Sequence, residues 1–321
     1  LRALARDQFG VDAAAARPGG FPGGAVLLDP AGGRGFVLVE ERAERSLGGA
    51  LAWARSVGVA PSALHLLAPA DAAGGLARRA SQFASPPAVF LNVGAEVERA
   101  EPTPLPEWPA LGFDPTPFVD ELHRAGAEPV VEQGVLVGEV LGLEVARVVD
   151  GVLEVGVGKH DREAQKLMHA DRPPFEALAA AVEAVRARRC AGAASHPMNE
   201  LAAARWLRAV VCARPSVVGL DGGALRPVSS TVPRPDLRLP APASAAGPGV
   251  VVVCSTGIDL DLVPTAADER LAHGDVGPST RLVLVVPEHD LHPVTEWLAS
   301  ALAVPAEIVT VPSDWRERGP Y

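Results

Sequence analysis

The sequence predicts an α/β protein of two lobes, each a mixed or parallel sheet flanked by helices, with extra helices in the second lobe. Three observations lead there. Short apolar runs alternate with amphipathic stretches toward both ends of the chain, the pattern of strands joined by covering helices. Two proline-rich stretches, 101–117 and 226–248, interrupt that alternation and read as connectors. Residues 64–93 also align without gaps on 282–311, pairing Leu64 with Leu282, Leu66 with Leu284, Pro69 with Pro287, Ala88 with Ala306 and Val93 with Val311. Two origins account for that alignment: the periodicity any two strand–helix–strand units share, or an internal duplication giving two related lobes.

Taken in order, residues 1–16 carry Arg2, Arg6 and Asp7 among apolar residues and suit an amphipathic helix better than a signal peptide. Glycines 19 and 20 with Pro22 end it. Residues 25–29 and 35–40 make a hairpin around PAGGRG. Helix 46–57 follows, with Leu47, Leu51, Trp53 and Ala54 at helical spacing and Ser46 as N-cap. Strand 64–68, helix 72–83 and strand 88–93 imply a right-handed crossover between parallel strands. Residues 1–100 thus form the first lobe, and 101–130 a proline-stiffened connector holding a short helix at 118–125.

The second lobe, 131–321, opens on a long hairpin that runs into a helix, 134–169. It carries a helical insertion at 161–213, with helices 174–189 and 197–213, and then the linker 226–248. It closes with strands 250–254, 282–286 and 307–311 separated by helices 266–273 and 293–302.

Composition narrows the function. A net charge of −10 repels phosphate backbones, so nucleic acid would need a locally basic groove. No apolar run approaches a membrane span, and a cytoplasmic protein is expected. Cys190, Cys212 and Cys254 are odd in number and outside any C-x-x-C motif, which argues against a disulfide framework or a zinc site. Cys254, at a strand end, suits a small buried residue better than a nucleophile.

The hairpin can be read in register. Asp150-Gly151 is a two-residue turn signal, which sets Val149 against Val152, Arg147 against Glu154, Glu144 against Val157 and Gly142 against Lys159. Glu144 and Lys159 would then share one face, and Arg147 and Glu154 the other. Cross-strand ion pairs are the plain reading. Beyond the turn, Asp161 is an N-cap, and Glu163 with Lys166 an ion pair, of the following helix.

Asp29 ends one strand of the first hairpin, and Glu40-Glu41-Arg42 ends the next, just before a helix. With the order helix, hairpin, helix, strand, helix, strand, residues 1–95 resemble the PD-(D/E)XK nuclease superfamily. That resemblance implies Asp29 and Glu40 as ligands of Mg²⁺ or Mn²⁺, with Arg42 in the lysine place. A guanidinium stays protonated, so Arg42 would clamp phosphate and not act as a base. In the second lobe Glu144 and Lys159 could fill the outer places of the same pattern, but Val157 stands where the middle acid belongs. The plain alternative for EERAER is a solvated charge run at a helix start.

A further candidate lies where the strands 250–254 and 282–286 end. Their loops offer Asp259 and Asp261, and His289 and His292, as metal ligands or acid–base groups. Capping of the following helices competes with that role. Two functions therefore stand: a non-catalytic binding or scaffold protein on a degenerate nuclease-like fold, serving a protein partner or nucleic acid through a local groove, or a divergent metal-dependent phosphodiesterase. No cofactor is certain on the first, and Mg²⁺ or Mn²⁺ belongs to the second.

Overall fold

The computed structural model describes residues 1–93, 96–168, 173–194, 196–220, 223–232 and 241–318. His169, Arg234, Arg238 and the Lys166 side chain lie outside the described residues. The chain forms two compact units with interleaved segments: Leu1–Leu105, Leu260–Asp268 and His292–Ala306 in one, Pro106–Asp259, Glu269–Leu291 and Glu307–Tyr321 in the other. These units differ from the expected continuous lobes, 1–100 and 131–321, in that their segments interleave. Two late segments fold with the first unit, where Asp261 accepts from the Gly48 amide, Asp268 pairs with Arg78 and Arg79, and Leu302 forms a β-bridge with Phe83.

The first unit begins with α1 (Arg2–Phe9), which stops at Gly10 in left-handed conformation, well short of residue 16. Then come β1 (Arg17–Phe21), β2 (Gly24–Asp29), β3 (Arg34–Val39), α2 (Leu47–Ser56), β4 (Leu64–Ala68), α3 (Ala70–Ala80), β5 (Ala88–Val93) and β6 (Glu96–Arg99). The six strands lie in sequence order in one sheet. β1–β3 form an antiparallel meander, β3, β4 and β5 run parallel, and β6 is antiparallel to β5. β1 and β6 were not foreseen: RPGGF has no alternating pattern, and both are edge strands.

Helix α2 is anchored from far along the chain. Ser46 does not cap it; its hydroxyl donates to the Ala43 carbonyl, while the Gly48 amide donates to the Asp261 carboxylate at 2.8 Å. Helix α3 is held similarly, Arg78 and Arg79 pairing with the fully buried Asp268 at 3.0 and 2.7 Å.

The second unit holds α4 (Thr116–Ala125), the strands β7 (Glu128–Glu132), β8 (Val135–Val140), β9 (Leu143–Val149) and β10 (Val152–Val155), then α5 (Gly158–Met168), α6 (Pro174–Arg186) and α7 (Ala203–Ala213). β7–β10 make an antiparallel meander. Its turns, Gln133-Gly134, Leu141-Gly142 and Asp150-Gly151, all have positive φ at both residues, the twist that two-residue hairpins require. β11 (Arg226–Pro227), β12 (Ala243–Gly247) and β13 (Val250–Cys254) follow. After them come α8 (Leu262–His273), β14 (Arg281–Pro287), α9 (Pro293–Ala301), β15 (Glu307–Val311) and α10 (Trp315–Arg318), with α9 folding in the first unit.

The β11–β15 sheet repeats the connectivity of β1–β5. Two antiparallel pairings are followed by two parallel ones, with α8 and α9 standing in the chain where α2 and α3 do. The alignment of 64–93 with 282–311 pairs β4 with β14 and β5 with β15.

Helix α7 is buried on two sides. Trp206, Leu207, Val210 and Val211 pack with Val252, Cys254, Val283 and Val285 of the β11–β15 sheet. Arg205 and Arg208, three residues apart and so on one helical face, reach Glu132 and Glu139 of the meander. Helices α4 and α6 cover the meander's apolar side through Leu122, Leu178, Val182 and Val185. Among the described residues no helix is long and apolar enough to cross a membrane.

Candidate functional site in the second unit

The hairpin read from sequence pairs as expected at Arg147↔Glu154, but β10 ends at Val155. Glu144 does not face Val157, nor Gly142 Lys159. The Gly156 amide donates to Val145, and the Val157 amide donates to Asp161 at 2.7 Å as α5 begins. Glu144 and Arg147 also share a face, against the expected alternation. The register passes from Gly138↔Ala146 to Glu139↔Glu144, so Val145 is an extra residue on β9. This β-bulge turns Glu144 toward Arg147, 2.6 Å away, and Arg162 closes on the same carboxylate at 3.0 Å. Lys159 stays on the exposed side of α5, 3.8 Å from Glu163.

The bulge leaves three glutamates in a row across the meander, Glu128 opposite Glu139 and Glu139 opposite Glu144. Cross-strand neighbours share a face, so like charges at these positions repel unless each is answered. Glu144 is answered by Arg147 and Arg162. Glu139, almost fully buried, is answered by Arg208 and by Arg205 at 3.3 Å. Burial pulls the Arg208 pKa down, but Glu139 and Glu132 outweigh it and the net shift is upward. Glu128, on the edge strand, has no ion-pair or hydrogen-bond partner among the described residues, and desolvation raises its pKa.

Glu128 and Glu139 line a cleft of about 850 Å³, within the ~300–1,000 Å³ usual for small-molecule sites. Its other walls are the end of α6 with the turn after it (Arg186, Arg189, Cys190) and α7 (Ala209, Cys212, Ala213). The α7 residues recur at helical spacing and are small, which opens the space. Arg189 is 1% exposed, and its guanidinium lies over the Trp206 ring at 4.8 Å. It donates to the carbonyls of Leu141 (2.6 Å), Met198 (3.3 Å) and Leu201, leaving Nε without an acceptor. Among the described residues no carboxylate pairs with it, and burial lowers its pKa to about 9. Arg186 is exposed and, among the described residues, donates only to the Gly126 carbonyl, at 2.8 Å.

Of the thiols, Cys190 is exposed. Burial pushes Cys212 up to about 12 and raises Cys254 further still, which suits Cys254 as an inert core residue. A smaller depression of about 590 Å³ holds Asp161, His196 and Glu200, each already engaged: on Val157, on Met198 and with Arg316.

The residues singled out from sequence lie elsewhere. Asp29 and Glu40 do not converge. β2 and β3 pair Asp29 with Arg34 at the turn, whereas the Glu40 amide donates to Gly23 at the far end of the hairpin. At roughly 3.3 Å per residue that separates them by about 20 Å. The nearly buried Asp29 carboxylate accepts from Gly32 (3.1 Å) and Arg34 (2.8 Å), and these bonds, the Gly32 amide foremost, hold its pKa below the ordinary value. Glu40 and Arg42 are exposed, and Arg42 has left-handed backbone at the start of a short 3₁₀ turn.

The sheet-edge set divides between the units. In the second, the loops after the parallel strands β13 and β14 meet where the Gly257 amide donates to Asp290 at 2.7 Å, with His289 3.4 Å from Asp290 and Asp259 nearby in sequence. In the first, Asp261 caps α2, and His292 accepts from the Val294 amide at 3.2 Å to cap α9. Among the described residues no group of three or more His, Cys, Asp or Glu is placed to hold a metal ion.

The cleft was missed in sequence, though part of it was legible. Taking Gln133-Gly134 as a two-residue turn, as was done for Asp150-Gly151, sets Glu128 against Glu139 directly. Compared with protein-family models, curated proteins and solved structures, the chain matches none.

Proposed function

We propose that the chain is a non-catalytic binding protein whose ligand is a small molecule held in the cleft of the second unit. The observation that carries this reading is Arg189, a buried guanidinium on the cleft wall with no carboxylate in ion-pair contact among the described residues. Burying a charge without a counter-charge is costly, and a ligand supplying one would remove that cost. The carbonyls of Leu141, Met198 and Leu201 fix the group in place, so little ordering remains to be done on binding.

The runner-up is a metal-dependent phosphodiesterase of the PD-(D/E)XK type in the first unit. Its support is the order of elements, a helix, an antiparallel meander, a helix and a parallel strand. The separation of Asp29 from Glu40 weighs against it, because two ligands of one ion must lie within a few ångströms of each other. One pair of assays on the full chain decides between them. With Mg²⁺ or Mn²⁺ and varied DNA and RNA, we expect no cleavage beyond that of a D29A/E40A control, and a thermal-shift screen of polar metabolites should return at least one stabilising compound. Metal-dependent cleavage abolished by D29A/E40A, with no stabilising compound, would reverse the order.

A further inference from the structure

We infer that the cleft takes a small zwitterion of the α-amino-acid class, its carboxylate drawn to Arg186 and Arg189 and its ammonium to Glu128. The inference rests on the binding reading above and deepens it. It follows from which charges facing the cleft are already answered. Glu139 is not free, since Arg205 and Arg208 occupy its carboxylate. Arg189 and Arg186 hold only backbone carbonyls, and Glu128 holds nothing among the described residues. Two cationic groups and one anionic group on this cavity, the exposed Arg186 and Glu128 and the buried Arg189, therefore have no ion-pair partner among the described residues.

A simple anion would answer the arginines but sit beside the Glu128 carboxylate, and a simple cation would face the converse. A neutral molecule would bury both kinds of charge unpaired. A molecule carrying both charges a few bonds apart satisfies all three groups. The volume of about 850 Å³ leaves space beyond an α-amino carboxylate, and Ala209, Cys212 and Ala213 give a wall for its side chain.

The test is calorimetric titration of the full chain with each of the twenty L-amino acids, and with sodium acetate, inorganic phosphate and methylammonium chloride. Saturable one-to-one binding of at least one amino acid is expected, weakened tenfold or more by Glu128→Gln and by Arg186→Ala, with no binding of the probes that carry charge of one sign only. Acetate or phosphate binding as tightly as any amino acid, and unaffected by Glu128→Gln, would overturn the zwitterion. So would a compound of another class that protects the Cys190 thiol while no amino acid binds, although the binding reading would then stand. If neither the amino acids nor a metabolite screen yields a ligand, both fall. Folding of each variant is checked by its thermal transition.

Discussion

At the scale of single residues, side chains that invite a chemical role are mostly spent on local needs. Asp29 is the clearest case. A carboxylate at a tight turn finds the Gly32 amide and the Arg34 guanidinium within a few residues, and these partners cost less to recruit than a metal. His65, half-buried against the core, makes the same point. It pairs across the sheet with Phe36, stacks on Phe36 and Phe90 with ring centroids 4.8 and 5.6 Å away, and meets Phe9 edge-on. Burial holds its pKa below the ordinary 6.5. The unfolded chain therefore binds the proton more readily, and stability present above pH 6.5 is lost as the pH falls below it. Urea midpoints should fall between about pH 7.5 and about pH 5.5 in the wild type, and less steeply in His65→Phe. Equal slopes would mean that His65 titrates freely.

At the scale of elements, the alternation of apolar and polar residues was enough to locate the central strands, because burial on a sheet face leaves a period of two that the residues must obey. β4, β5, β13 and β15 fall within a residue of their expected limits. Edge strands and a bulge carry no such period. Nothing in the sequence around Val145 distinguishes the extra residue that places Glu144 beside Arg147, and the place of Glu144 on the meander's charged face stayed hidden for that reason.

Caps supplied from a distance are hidden in the same way. Ser46 looked like the N-cap of α2, but Asp261 does that work from 213 residues away. The approach is close enough that a Cβ on Gly48 would lie 1.8 Å from the Leu260 carbonyl oxygen, whereas one on Gly49 would lie 3.4 Å from the Phe21 ring. Gly48→Ala should therefore cost about 1–3 kcal/mol. Gly49→Ala should be neutral or stabilising by up to about 1 kcal/mol, since alanine favours the helix. Chemical denaturation of the two variants compares them directly, and equal stabilities would contradict the close approach.

At the scale of the whole molecule, the α/β class was legible, but the division into units was not. Composition shows where a chain is rich in proline; it does not show that Leu260–Asp268 and His292–Ala306 fold with the N-terminal segment. The shared connectivity of β1–β5 and β11–β15 supports the reading of an old duplication. On that reading the meander and its helices, which have no counterpart in the first unit, are where a distinct function was added. The cleft lies there, built from an edge strand, a helix end and a face of small residues, none of which forms a linear motif.

The central claim, a ligand cleft on the second unit, is tested most directly through Cys190, which lines it. Cys190 is exposed, whereas burial raises the pKa of Cys212 and Cys254 and holds them as thiols at neutral pH. One of the three thiols should therefore react quickly with a disulfide reagent such as dithiobis(nitrobenzoic acid), and Cys190→Ser should abolish that phase. A compound that stabilises the protein in the thermal-shift screen should slow the same phase in proportion to its occupancy. A stabilising compound that leaves Cys190 labelling unchanged at saturation would contradict the claim, because it would be bound somewhere else.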